Sequence, residues 1–186
     1  MKKSLTGLHL FQSKQISNSR WRGALAALFI SAGLSEAALA QNKVWDKTLG
    51  GSKPEKFEVM VPTSDGGYLL GGSSVSGISG DKSQPNKGKE DYWIVKTNNN
   101  GQKLWDKVYG GSDNDHLTAI VPTSDGGYLL GGYSASGVSG DKTQAAKGGT
   151  DYWLIKIDAN GKKVWDKVYG GNEADNLTAL ISTPDG

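Results

Sequence analysis

An all-β fold of tandem, four-stranded antiparallel repeats, each sixty residues long, is predicted by three observations. The first is the period itself: VPTSDGGYLLGG at 61–72 returns unchanged at 121–132. WDK recurs at 45–47, 105–107 and 165–167, DYW at 91–93 and 151–153, and SGDK at 79–82 and 139–142. The second is two-residue apolar alternation inside each unit, bounded by glycine- and asparagine-rich turns. The third is the lack of any apolar helical period after the first forty residues. A constant period of this length marks repeated supersecondary units, each burying its apolar face against its neighbour.

The elements follow in order along one unit. The segment at 44–51, with copies at 104–111 and 164–171, reads as a first strand, VWDKVYGG in its last copy. LTAIVPT at 117–123 reads as a second, with Leu117, Ala119 and Val121 on one face and Phe57, Val59 and Val61 matching them. GYLLGGYS at 127–134 is the third strand, reached through Ser124-Asp125-Gly126-Gly127, where glycine supplies positive φ. DYWLIKID at 151–158 is the fourth, placing Trp153, Ile155 and Ile157 on one face, as Trp93, Val95 and Thr97 are placed earlier. Asp158-Ala159-Asn160-Gly161 and Asn98-Asn99-Asn100-Gly101 then lead into the next WDK strand; Asn-Gly between apolar runs is a hairpin signal. The Ser/Gly/Lys-rich stretches near 74–90 and 134–150 lack alternation and read as long polar loops protruding from each unit.

These units divide 41–186 into repeats at 44–103 and 104–163 and a truncated third at 164–186. Four antiparallel strands at this spacing are the pattern of a propeller blade, so the expected architecture is a partial β-propeller of two full blades and part of a third. Ser182-Thr183-Pro184-Asp185-Gly186 repeats the turn after the second strand, and the expectation is a fragment of a longer repeat protein.

Residues 1–40 are read apart from the fold. Lys2, Lys3, Lys14, Arg20 and Arg22 precede the apolar run 23–34, and Ala38-Leu39-Ala40 precedes Gln41. A basic leader, a short apolar run and an A-x-A site form a secretory signal peptide, cleaved after Ala40. The run is too short and too interrupted for a membrane anchor, so no span is expected after cleavage. The leader carries five of the 21 Lys+Arg and one of the 19 Asp+Glu, leaving 16 basic against 18 acidic residues. The mature chain is therefore slightly acidic, and nucleic acid is not an expected partner. With no cysteine, an exported chain must be held by its core and its hydrogen-bond ladders, without disulfides or zinc–thiolate sites.

The order of motifs in DYWLIKIDANGKKVWDKVYGG at 151–171, followed by LTALISTPDG, resembles the beta-propeller repeat family of exported bacterial proteins. The SGDK-type loops are similar to those of large secreted or surface repeat proteins of the Bacteroidetes type, which often end in a type IX secretion sorting domain. The resemblance covers 43–186; it implies a propeller scaffold and is nearly silent about ligand, because fold does not dictate function.

Trp45, Trp105, Trp165, Trp93 and Trp153 suit an aromatic ligand platform, but period-locked positions beside β-branched neighbours favour packing between blades. WDK suggests a quinoprotein docking strand with calcium, yet Asp46, Asp106 and Asp166 recur in every copy, which favours pairing with a nearby Lys or satisfaction of a turn. Asp113 and Asp115, with Glu173 and Asp175, lack EF-hand spacing and read as a solvated acidic loop. His116, the single histidine after the leader, reads as exposed at a loop edge, and the Asn176-Leu177-Thr178 sequon is uninformative in a bacterial-looking chain. The best binding candidates are the SGDK loops, through Ser79, Asp81, Lys82, Ser139, Asp141 and Lys142.

The expected function is that of a secreted or cell-surface, non-catalytic scaffold without a cofactor. It would bind an extracellular glycan or protein through repeated loops, with further repeats of the same protein as neighbours. The alternatives are the propeller portion of a larger secreted enzyme and a structural spacer in a surface layer.

Overall fold

The structure is a computed structural model that describes residues 45–183. The leader and its cleavage site at Ala40 lie outside the described residues, as do Pro184, Asp185 and Gly186. Eight strands form two sheets, and no helix occurs among the described residues. Strands β1 (Glu55–Pro62), β2 (Tyr68–Ser74), β3 (Asp91–Thr97) and β4 (Lys103–Tyr109) make the first sheet, in that order. Strands β5 (Asp115–Pro122), β6 (Tyr128–Ser134), β7 (Asp151–Ile157) and β8 (Lys163–Tyr169) make the second, in the same order. All neighbouring strands are antiparallel.

The sheet boundaries differ from the repeat boundaries at 44, 104 and 164. The WDK strands at 105–107 and 165–167 are each the last of a sheet, not the first, because the Asn-Gly turn folds them back onto the DYW strand, and the described part of the strand predicted at 44–51 lies in neither sheet. Trp105 pairs with Lys96 and Trp165 with Lys156 in register. Gly101 and Gly161 take positive φ of 71° and 76° in those turns, a conformation that side chains with a Cβ resist. A period has no intrinsic starting point, and the strong local hairpin decides which neighbours share a ladder.

The alternation predicted for β5 is also interrupted. A bulge between Leu117 and Ala119, matched between Phe57 and Val59, inserts an extra residue into the edge strand. Ile120 thereby joins Leu117 on one face, and both reach Gly71 of the first sheet. Val121 is turned away from the Leu117 face that strict alternation assigns it.

The two sheets pack face to face. Leu69, Tyr92, Ile94 and Tyr109 of the first meet Leu117, Ile120, Leu130, Trp153 and Ile155 of the second in one buried cluster. The tilted rings of Tyr92 and Trp153 lie 5.1 Å apart, and the Tyr92 hydroxyl donates to the Trp153 carbonyl at 3.1 Å. Burial raises the Tyr92 phenol well above its ordinary range, so it remains a neutral donor. The opposite face of the first sheet holds a smaller cluster of Leu70, Trp93, Val95 and Val108, partly covered by Trp45 and Leu49.

The segments flanking the sheets repeat contacts seen between them. Trp45 lies over Gly101 as Trp105 lies over Gly161, and its indole donates to the Asn99 carbonyl at 2.9 Å. Asp175 donates its backbone N–H to the Thr150 carbonyl at 2.6 Å, as Asp115 does to Glu90 at 2.6 Å. The tryptophans therefore divide into two roles. Trp153 and Trp93 are buried, whereas Trp45 and Trp105 cover turns and Trp165 is 40% exposed. The packing role predicted for all five holds fully for the DYW pair and in part for Trp45 and Trp105, which are half-buried against the two core clusters.

Candidate functional site

The stretches 74–90 and 134–150 are where the sequence places binding, and the structure sews them down instead of letting them protrude. Three seams hold each one. The first runs to the Gly-Gly segment that follows the preceding WDK strand. Asp81 donates its N–H to the Gly50 carbonyl at 2.8 Å, and its carboxylate accepts from the Gly50 N–H at 3.1 Å. Ser52 and Lys53 donate their N–H groups to the hydroxyls of Ser79 and Ser76, each at 2.9 Å. The second copy is the same: Asp141 exchanges bonds with Gly110 at 2.8 and 3.1 Å, and Ser139 and Ser136 accept from Ser112 and Asp113. In that copy the seam crosses between sheets, and Lys87 from the first loop reaches the Asp141 carboxylate.

The second seam runs to the last strand of the loop's own sheet. Asp106 accepts from the Ser83 N–H at 2.9 Å, the Ser83 hydroxyl at 2.6 Å, the Trp93 indole at 3.1 Å and Lys103 at 2.8 Å. Asp166 repeats the set with Thr143, Trp153 and Lys163. Burial pushes both carboxyls up, but the bonds from lysine, hydroxyl, backbone and indole outweigh it and hold them below the usual range. The lysine pairing predicted for these aspartates is thus present at Asp106 and Asp166, beside loop and indole contacts that the motif does not advertise.

The third seam is internal. Lys82 is fully buried, with its ammonium on the Gln84 carbonyl at 2.7 Å and the Asn86 side chain at 2.8 Å. Position 146 is alanine where 86 is asparagine, and Lys142 turns to the Ser136 carbonyl instead. Burial lowers both ammonium groups from their ordinary value. All six predicted loop residues are therefore engaged within the chain. Other loop positions stay exposed, and the large apolar side chains among them are Ile78 and Val138, 68% and 65% exposed at equivalent places on the loop tips. Sequence reasoning passed over them, since one β-branched residue in a polar stretch is a weak signal.

The predicted solvated acidic loop is so only in part: Glu173 is exposed, but Asp115 is not. Asp115 is wholly buried, accepting from the Gly111 N–H at 2.6 Å and the Ser136 hydroxyl at 3.0 Å. Asp113 turns outward to Lys89 at 2.9 Å. Asp115 belongs with Asp91 and Asp151, buried carboxylates that each keep one oxygen, Oδ1, without a protein hydrogen-bond partner. Burial pushes Asp91 up to about 6 against the N–H groups of Lys87 and Gly88, with nearby Asp115 adding to the rise, and burial raises Asp115 as well. A proton held near neutrality suits an acid catalyst, but the Asp91 carboxyl is fully buried and out of reach of a substrate. Among the described residues no group of three or more His, Asp or Glu side chains is arranged to hold a metal.

His116 is also placed differently from its predicted exposed edge. Its ring stacks on Tyr133 with centroids 5.1 Å apart, and Nδ1 lies 3.2 Å from the Glu90 carboxylate. It bridges the second sheet to the loop of the first, an ordering role. No helix among the described residues is long and apolar enough to cross a membrane. No family model matches the chain, and no curated protein matches it.

Proposed function

We propose that the chain is an exported, non-catalytic repeat scaffold whose sheets stack radially as β-propeller blades and bind a glycan or protein partner through their loop tips. The observation that carries this is the pair Ile78 and Val138, exposed apolar side chains repeated on two loops whose stems are fully hydrogen-bonded. A rigid stem with a free apolar tip presents contact area at little ordering cost. Two equivalent tips on neighbouring units make weak contacts add through effective concentration.

The radial arrangement is supported by the offset between the sheets. Each loop grips the unit before it, so the contact is head-to-tail and generates a ring or an open array when repeated. The resemblance to exported bacterial propeller repeats supports secretion or display at the cell surface, with cleavage after Ala40. N-terminal sequencing of the exported chain tests that directly; a start at Gln41 is expected, and retention of the leader refutes it.

Binding is tested on immobilised glycans and surface proteins with the chain and its Ile78→Ser/Val138→Ser double variant. Either single substitution weakens avidity on the order of tenfold or more, and the double variant loses binding. Unchanged binding by the double variant removes the tips as the site.

A further inference from the structure

A cavity of about 310 Å³ opens on the face of the first sheet that carries Trp93, Leu70 and Val95. The segment Thr48–Gly51 forms one wall, and Phe57 and Asp81 stand among its other lining residues. The second sheet has the same place, built from Trp153, Leu130, Ile155 and Gly132, and there it is filled. The occupant is Tyr92, whose ring lies against Trp153 and whose hydroxyl donates to the Trp153 carbonyl at 3.1 Å. Glycine at 132 is required for this, because a Cβ there would stand 2.6 Å from the Tyr92 oxygen and would strike the His116 carbonyl. Gly72 repeats that glycine sixty residues earlier, with Trp93 beside it in register.

Exposure follows the same logic. Leu117 is fully buried under the first sheet, whereas its equivalent Phe57 is 46% exposed at the cavity. The strand context is repeated too. Tyr92 pairs with Tyr109 of β4, and Leu49, sixty residues before Tyr109, lies in the cavity wall. The segment Trp45–Gly51 belongs to neither sheet, so its edge adjoins the cavity much as β4 adjoins Tyr92.

We infer that this cavity is a binding site for a tyrosine side chain carried on an extended strand of another polypeptide, laid beside Thr48–Gly51 with its phenol against Trp93. Strand addition supplies main-chain bonds, and the cavity supplies selectivity at one side chain. Phe, Leu and Ile fill the apolar part equally well. The Trp93 carbonyl is the feature that singles out a phenol, as the Trp153 carbonyl does for Tyr92. The site uses only the equivalence of the two units and stands whether or not the loop tips bind.

The test follows the methyl signals of Leu70 and Val95 and the Trp93 indole N–H by NMR in the labelled chain. The first probe is p-cresol, the tyrosine side chain alone, with toluene as its hydroxyl-free counterpart. Saturable shifts confined to those signals are expected, with Kd on the order of millimolar. Toluene binds roughly five- to tenfold more weakly, because it leaves the carbonyl unpaired. The second probe is a peptide copying Asp91–Thr97, bound about tenfold more tightly than p-cresol, and its counterpart with alanine for tyrosine loses that gain.

Val95→Phe fills the cavity and abolishes both signals. Phe57→Lys, at an exposed rim position that leaves folding intact, weakens both. Shifts that are absent or lie elsewhere overturn the site, as does indifference to both substitutions; toluene binding as well as p-cresol overturns the phenol. A concentration-dependent dimer lost in Tyr152→Ala makes a second copy the occupant and overturns a separate strand.

Discussion

Replacing Asp166 by alanine tests whether the long loops are structural members of the sheets. The Asp166 side chain is 1% exposed and accepts from the Thr143 N–H, the Thr143 hydroxyl, the Trp153 indole and Lys163. Alanine leaves the buried Trp153 indole without an acceptor, at a cost of about 1–3 kcal/mol, and removes the bonds of the exposed Thr143, whose N–H and hydroxyl turn in part to water. The lysine is only partly covered and turns to water, so its share is small. A total loss of about 2–4 kcal/mol is expected, a large fraction of a domain's stability. Asparagine keeps the shape and one acceptor, and costs about 1–2 kcal/mol. Urea unfolding followed by tryptophan fluorescence measures both, and Trp153 itself reports the change. Asp106→Ala behaves alike, since Ser83, Trp93 and Lys103 form the same set. A loss below about 1 kcal/mol for Asp166→Ala, with the loop still protected from proteolysis, refutes this account.

The remaining predictions concern packing and pH. Gly71→Ala places a Cβ 2.5 Å from Ile120 and 2.6 Å from Leu117 of the facing sheet, and costs about 1–3 kcal/mol of stability. Gly131→Ala meets Leu180 at 2.6 Å, but that residue belongs to no sheet and can shift, so thermal unfolding registers a smaller loss. For Asp91 the folded pKa of about 6 stands above its ordinary value of 3.8. Its neutral form is therefore favoured by folding. That contribution is present below pH 3.8 and is lost as pH rises through 6. Relative to the chain itself, Asp91→Asn gains up to about 3 kcal/mol between pH 4 and 7, read from urea midpoints. A difference that is flat in pH refutes the buried carboxyl. Asp106 and Asp166 act with the opposite sign, losing their contribution as pH falls.

Much of the fold was legible because it is local. The Asp-Gly and Asn-Gly turns are set by glycines that supply positive φ, and Gly66, Gly126, Gly101 and Gly161 all adopt it. The face of Trp153, Ile155 and Ile157 was legible from alternation and lies wholly in the core. The β5 face was not, because a bulge leaves no mark in the apolar pattern. The loops misled for a related reason. Their serines, aspartates and lysines resemble solvated residues in composition, yet Ser76 and Asp115 are buried because each finds a distant partner, and Lys82 because Gln84 and Asn86 of its own loop take its ammonium. Burial of a polar group depends on whether its bonds can be met, which is a property of partners and not of the residue.

The sixty-residue repeat, read by itself, settled the all-β character, the turn positions and the equivalence of the units, since these rest on residue spacing and backbone preference, though not that 45–51 stays out of any sheet. Only the tertiary structure decided which strands share a sheet, for a period can be cut anywhere and the hairpins choose the cut. It also decided which copy of an identical motif is buried. Tyr92 and Tyr152 share the DYW motif, yet Tyr92 is enclosed and Tyr152 is 37% exposed, because only Tyr92 has a neighbouring sheet to enter. Repetition specifies what each unit can contact, and the arrangement of units in space determines which of those contacts is made.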